Sequence, residues 1–140
     1  MSLLATALAL ASTILGQSVE GRPIRAERIG PADARVNVMV VGSIHGNEPA
    51  GKAVVARLRR TQPPRGTALW LIEDANPDGA AANARQNAHG VDLNRNFPYR
   101  WRPQDGVYES GPSPASEPET QTIQRLVERI RPRVTLWYHQ

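Results

Sequence analysis

Apolar and polar positions along this chain change period several times, and each change marks an element. Val36, Val38, Val40 and Val41 form a β-branched run that predicts a buried strand, after which Ala50, Ala53, Val54, Val55 and Leu58 recur at helical spacing. That helix is expected to start from a cap at Asn47, with Pro49 in its first turn, and to run to about Arg60, where Gln62-Pro63-Pro64-Arg65-Gly66 stops it. A second apolar run, Ala68 to Ile72, predicts another strand, which ends in the turn-rich segment Glu73-Asp74-Ala75-Asn76-Pro77-Asp78-Gly79. Near the other end, Ser116-Glu117-Pro118-Glu119 has the form of a capping box. It launches a helix with Ile123, Leu126, Val127 and Ile130 on one face, ended by Pro132. Val134 to Tyr138 then reads as a strand that delivers His139 at its carboxyl end.

Two stretches fit this scheme less simply. Leu3 to Leu15 is almost wholly apolar but too short for a comfortable bilayer span, so residues 1–15 are set apart from a domain covering 16–140. The stretch is similar to the apolar region of a signal peptide without its basic lead, which favours a secreted or periplasmic location. A helix or strand packed on the domain reads equally well. After it, Gln17-Ser18-Val19-Glu20-Gly21-Arg22-Pro23-Ile24 predicts an edge hairpin with its turn at Glu20-Gly21. From Ala80 to Ser116 the chain is polar, with little periodicity and many Gly and Pro breaks. A segment of that length inside a compact domain is expected to build a binding surface.

With 140 residues, 40% of them hydrophobic, the chain can close one core. It has no cysteine, so a metal would have to be held by histidine and carboxylate. The formal charge is +4, and all but one of the seventeen cations are arginine, scattered rather than run together and without interleaved aromatics. This distribution predicts a solvated surface and argues against nucleic-acid binding, while leaving carboxylate-bearing substrates compatible.

Gly42 to Gly51, Gly-Ser-Ile-His-Gly-Asn-Glu-Pro-Ala-Gly, joins the first strand to the first helix. Ligands of open α/β sheets gather at such turns, beyond the carboxyl ends of strands. His45 and Glu48 can converge there on one cation. On spacing alone, Glu48 could equally be complementing the helix dipole and His45 could be a polar loop residue. His139, after another parallel-looking strand, would complete a His, Glu, His set, the complement of a catalytic zinc with one position open. A lone histidine after a strand is also a common loop or core residue, and His89 is read as one.

Between these residues lies Arg85-Gln86-Asn87-Ala88-His89-Gly90-Val91-Asp92-Leu93-Asn94-Arg95-Asn96-Phe97-Pro98. Together with His45-Gly46-Asn47-Glu48, Asn76-Pro77-Asp78-Gly79 and Ser116-Glu117-Pro118-Glu119-Thr120, it resembles the zinc carboxypeptidase (M14 peptidase) family, and within it the bacterial branch similar to murein peptide amidases. The resemblance implies an α/β fold, a mixed and largely parallel sheet with helices on both faces. It implies that His45, Glu48 and His139 ligate Zn2+, that Arg85 stabilises the oxyanion, and that Asn94 and Arg95 hold the free C-terminal carboxylate of a peptide substrate. A planar guanidinium suits that last task, since it can donate two parallel hydrogen bonds to one carboxylate.

In the family, the general-base glutamate, the tyrosine that closes over substrate and the side-chain pocket all follow the third zinc ligand, where this sequence has no counterpart. The expectation is therefore either the amino-terminal part of a longer enzyme or a truncated paralogue that must pair with something, inactive alone, with an open strand edge through which it self-associates. Two other readings stay open: an amidohydrolase of the succinylglutamate desuccinylase or aspartoacylase type, and a non-catalytic module that binds zinc or a peptide carboxylate.

Overall fold

The apolar runs pair into one five-stranded sheet in a computed structural model that describes residues 11–140. Strands β1 (Ala11–Gln17), β2 (Pro23–Ile29), β3 (Val36–Val41), β4 (Thr67–Ile72) and β5 (Val134–Trp137) lie in the order β1-β2-β4-β3-β5. β4, β3 and β5 are parallel, in register from Val41↔Ile72 to Val41↔Trp137, whereas β2 is antiparallel to both its neighbours. The sheet is mixed, and its parallel half carries the residues of interest.

Helices cover both faces. Met39 and Val41 of β3, with Ile24, Ala26 and Ile72, pack with Ile123, Leu126 and Ile130 of helix α4 (Pro118–Ile130). On the other face Val40, Ile29 and Leu71 pack with Val55 of helix α1 (Ala50–Leu58), backed by Val38 and Leu58. A strand buried on both sides needs apolar residues at successive positions, which is why β3 reads as a valine run rather than an alternation. Each such side chain contributes roughly 1.5–3 kcal/mol by leaving water. Asn37 is the polar exception and is fully used. Its Nδ2 donates to the Ile130 carbonyl at the end of α4 (2.8 Å), and its Oδ1 accepts from the Trp70 indole (3.0 Å).

The hairpin turns where expected, with Gly21 at φ +79° and Ser18 and Arg22 bonded across it. It is β1 that forms the edge, however, since β2 is enclosed between β1 and β4. Ala11 to Leu15, the described part of the apolar N-terminal stretch, is strand, while residues 1–10 lie outside the described residues. Among the described residues no helix is long and apolar enough to cross a membrane.

Three local expectations are corrected. Helix α1 starts at Ala50 with Pro49 as its N-cap residue, so Asn47 caps nothing and Glu48 lies in the turn before the helix rather than on its first turn. The capping box at Ser116 does not form. Glu117 is the N-cap residue, Pro118 occupies the first helical position, and Ser116 Oγ donates to the Glu117 carboxylate (2.7 Å). The polar stretch also contains short helices, α2 (Pro77–Ala82) at its entrance and α3 (Leu93–Asn96) within it, with a single 3-10 turn at Gly106–Tyr108.

Candidate active site

The turn after β3 is fixed by close backbone packing before any side chain is considered. Gly42 N donates to Ile72 O (2.8 Å), Ala75 N to Ser43 O (2.8 Å), and Ser43 Oγ to His45 O (2.7 Å). A Cβ on Gly46 would come within 1.9 Å of the Gly79 carbonyl carbon, so this turn lies directly on the first turn of α2. There Asn76 caps α2 by accepting from Gly79 N (2.9 Å), and its Nδ2 donates to Arg85 O (3.2 Å). The Asn-Pro-Asp-Gly motif thus seats both the His45 turn and the start of the Arg85 loop. Asp78 serves a different end, gripping Ser18 Oγ (2.7 Å), Glu20 N (2.9 Å) and Arg22 of the hairpin.

On this platform three donor atoms converge. His45 Nδ1 lies 3.0 Å from Glu48 Oε2, His139 Nδ1 lies 3.0 Å from the same oxygen, and the two Nδ1 atoms are 3.3 Å apart. His45 Nε2 is 2.9 Å from Oδ1 of fully buried Asp92. An ionised carboxylate only accepts, so His45 donates its Nε2 proton to Asp92, and its Nδ1 faces the Glu48 oxygen. Those two atoms would repel as bare lone pairs, so a proton or a metal cation lies between them. Zinc bonds of about 2.0–2.1 Å in a tetrahedron would set ligand atoms about 3.3 Å apart, so the spacing suits that ion. These three residues could hold a metal.

Arg85 joins the same network. Its Nη1 donates to Glu48 Oε1 (3.2 Å) and its Nε to Asp92 Oδ2 (3.0 Å), with Nη2 paired at 2.9 Å to the same oxygen. Burial alone would push both carboxyls up. The bonds from His45 and His139 hold Glu48 below its ordinary range, and those from His45 and Arg85 do the same for Asp92.

Asp92 also caps α3, accepting from Asn94 N (3.0 Å), and this places Asn94 and Arg95 just beyond the metal-binding residues. Asn94 is exposed. Among the described residues the Arg95 guanidinium bonds only the Asn94 carbonyl (3.3 Å), and its carbon lies 5.3 Å from the centre of the Tyr108 ring. A cavity of about 510 Å³, lined by residues including Asn94, Arg95, Tyr99 and Arg102, opens beside them. His89 stands apart from the metal-binding group, bonded to Glu117 (2.7 Å).

Residues 8–140 match the Peptidase_M14 zinc carboxypeptidase family. The chain belongs to the zinc carboxypeptidases. Among members of that family it is 35% identical to murein peptide amidase A of Escherichia coli (strain K12), over 78% of this chain and 51% of that protein. It spans about half the length of that curated relative. The crystal structure of murein-tripeptide amidase from Escherichia coli O157 superposes with a TM-score of 0.80 at 30% identity, covering 96% of this chain and 62% of that one. Carboxypeptidase A from Helicoverpa armigera superposes with a TM-score of 0.79 at 25% identity, over 94% of this chain and 41% of that one. Zinc carboxypeptidases are zinc enzymes, and the donor set of this member, two imidazoles and a carboxylate with no thiol, fits such an ion.

Sequence reasoning gave no role to Asp92, although the residue stood inside the most specific motif. The signal available was its dual position. An Asp two residues before Asn94 is a helix-cap candidate, and a fully buried acid must also have a cationic or N–H partner, here His45 and Arg85. Asn76 was likewise legible as an N-cap before Pro77. Its second bond, to the Arg85 carbonyl, was not.

Proposed function

We propose that this chain supplies the metal-binding and carboxylate-binding part of a zinc carboxypeptidase that hydrolyses the C-terminal amide bond of a peptide, with a peptidoglycan peptide as the favoured class. The observation that carries the reading is the convergence of His45, Glu48 and His139 at 3.0–3.3 Å, in one network with Arg85. Zinc held there would act as a Lewis acid on the scissile carbonyl and its attacking water. Arg85, held by Asp92, would donate to the oxygen on which charge develops. A preorganised donor of that kind is worth on the order of 3 kcal/mol. Asn94 and Arg95 would hold the free carboxylate, restricting the reaction to a chain end. The similarity to murein peptide amidase A supports the substrate class.

A non-catalytic reading has one observation in its favour. Each carboxylate within the metal-binding network is committed, Glu48 to both histidines and Asp92 to His45 and Arg85, and nearby Glu73 and Asp74 are paired with Arg59 and Lys52. Among the described residues, none of these carboxylates is left to take a proton from water. One experiment separates the readings: the 140-residue chain is given zinc with a peptidoglycan-type peptide, the same peptide amidated at its C-terminus, or an N-acyl amino acid. Zinc-dependent release of the terminal residue supports the peptidase, and cleavage of the N-acyl compound supports an aspartoacylase-like activity. Binding of zinc and the free-acid peptide without turnover, both in this chain and in one extended past Gln140, supports the binding module.

A further inference from the structure

Tyr108 belongs to none of the motifs described above, yet its ring meets two proposed site arginines at once. The Arg85 guanidinium carbon is 5.5 Å from the ring centre and that of Arg95 is 5.3 Å, both within cation–π range. The ring is about half exposed (48%) and therefore open to a ligand. Its backbone is held on both sides by the loop that carries Arg85 and Asp92. Gln86 Nε2 donates to Gly106 O (2.9 Å), and Asp92 N donates to Glu109 O (2.8 Å). The 3-10 turn is thus tied to the neighbour of one arginine and to the cap residue of the helix bearing the other.

Stacking and ion pairing leave a guanidinium in different states. A carboxylate partner occupies N–H donors in the plane of the group, whereas an aromatic face binds the cation through its π-surface and leaves those donors free. Arg85 has carboxylate partners on both Glu48 and Asp92. Arg95 has no carboxylate partner among the described residues and one long bond to a carbonyl, so the Tyr108 ring is its principal support. We propose that Tyr108 is a positioning residue that holds Arg95 with its donors free for the substrate carboxylate, and contributes less to the already anchored Arg85. This rests on the reading of Arg95 given above.

The test uses the zinc-loaded 140-residue chain and calorimetric titration with a short peptide as its free acid and as its C-terminal amide. The wild-type chain should prefer the free acid. Tyr108→Ala, and Tyr108→Leu, which keeps apolar bulk without a π face, should each lower that acid-to-amide preference about 3- to 10-fold and leave zinc affinity unchanged. Tyr108→Phe should retain the preference within about twofold, because the ring rather than the hydroxyl carries the contact. An undiminished preference in Tyr108→Leu overturns the inference. So does Tyr108→Phe behaving like Tyr108→Leu, or a parallel loss of zinc affinity that would make the ring a support of the fold. A wild-type chain without any preference for the free acid instead overturns the assignment of Arg95, and the inference with it.

Discussion

Replacing Asp92 by asparagine tests whether the metal-binding residues are prepared by the residues behind them. The Asp92 Oδ1 atom accepts from both His45 Nε2 (2.9 Å) and Asn94 N (3.0 Å), while Oδ2 accepts from Arg85 Nε (3.0 Å) and is paired with its Nη2 (2.9 Å). All of these partners are donors, so an amide NH2 is wrong at either position. Turned toward Arg85, it opposes a guanidinium. Turned toward His45, it forces the imidazole proton onto Nδ1, the atom that faces Glu48 and His139. Loss of such an outer partner typically weakens metal binding 10- to 100-fold, or about 1.4–2.8 kcal/mol. Unmade buried bonds cost the metal-free fold about 1–3 kcal/mol more. Competition with a chromophoric zinc chelator measures the first effect, and urea denaturation of the metal-free chain measures the second. The stability difference should also depend on pH in a definite direction. Asp92 is held below the ordinary carboxyl value of about 3.9, so its contribution is present above that pH and is lost as pH falls through the folded value. Wild type and variant should therefore converge in acid. Zinc affinity and denaturation midpoint both equal to wild type near pH 7 would refute this account of Asp92.

Zinc at one hundred times its dissociation constant should stabilise the chain by about 2.7 kcal/mol, read as a rise in unfolding midpoint, and His139→Ala should abolish most of that rise. Gly46→Ala should destabilise by about 3 kcal/mol in urea denaturation, because the added carbon meets the Gly79 backbone rather than a side chain that can turn away. Arg95→Lys should weaken free-acid peptide binding about tenfold in calorimetry and leave zinc affinity intact, since a point charge cannot reproduce a two-pronged contact.

Strands β2 to β4 and the two long helices were legible because each buries a regular face, and burial writes itself into the sequence at a period of two or near 3.6, whereas β1 lies mostly in the stretch set apart as residues 1–15 and β5 leaves most of its residues exposed. Met39, Val40 and Val41 are an example, since they alternate between the α4 and α1 layers. Helices α2 and α3 were not legible. At six and four residues they are too short for a period, and their caps, Asn76 and Asp92, had to be read as single residues. Ser116 to Glu119 shows a different limit. The pattern of a capping box was present, but Glu117 and Glu119 both turn to the Asn87 amide (2.8 and 3.1 Å), and the sequence does not show which partner a carboxylate will choose. Of the residues that converge there, His45, Glu48 and Arg85 were singled out from short motifs. His139 needed strand β5 to be identified before its position carried meaning.

His139 follows the shortest strand in the sheet. β5 has four residues, pairs among the described residues only with β3, and leaves Val134 and Leu136 about half exposed. Few buried contacts and a single ladder mark a segment that opens at lower free energy than the core around it. The histidine it carries is tied, through any ion in the site, to a turn built on the fully buried interior. Occupancy of the site therefore works as a latch on an otherwise loosely held strand, and the binding free energy falls unevenly over the molecule. Amide exchange at Thr135 to Trp137 should slow markedly as zinc is added, while exchange at Leu71 and Ile72 in the middle of the sheet stays as it was. The metal would then be reported by protection of the sheet margin before any substrate is present.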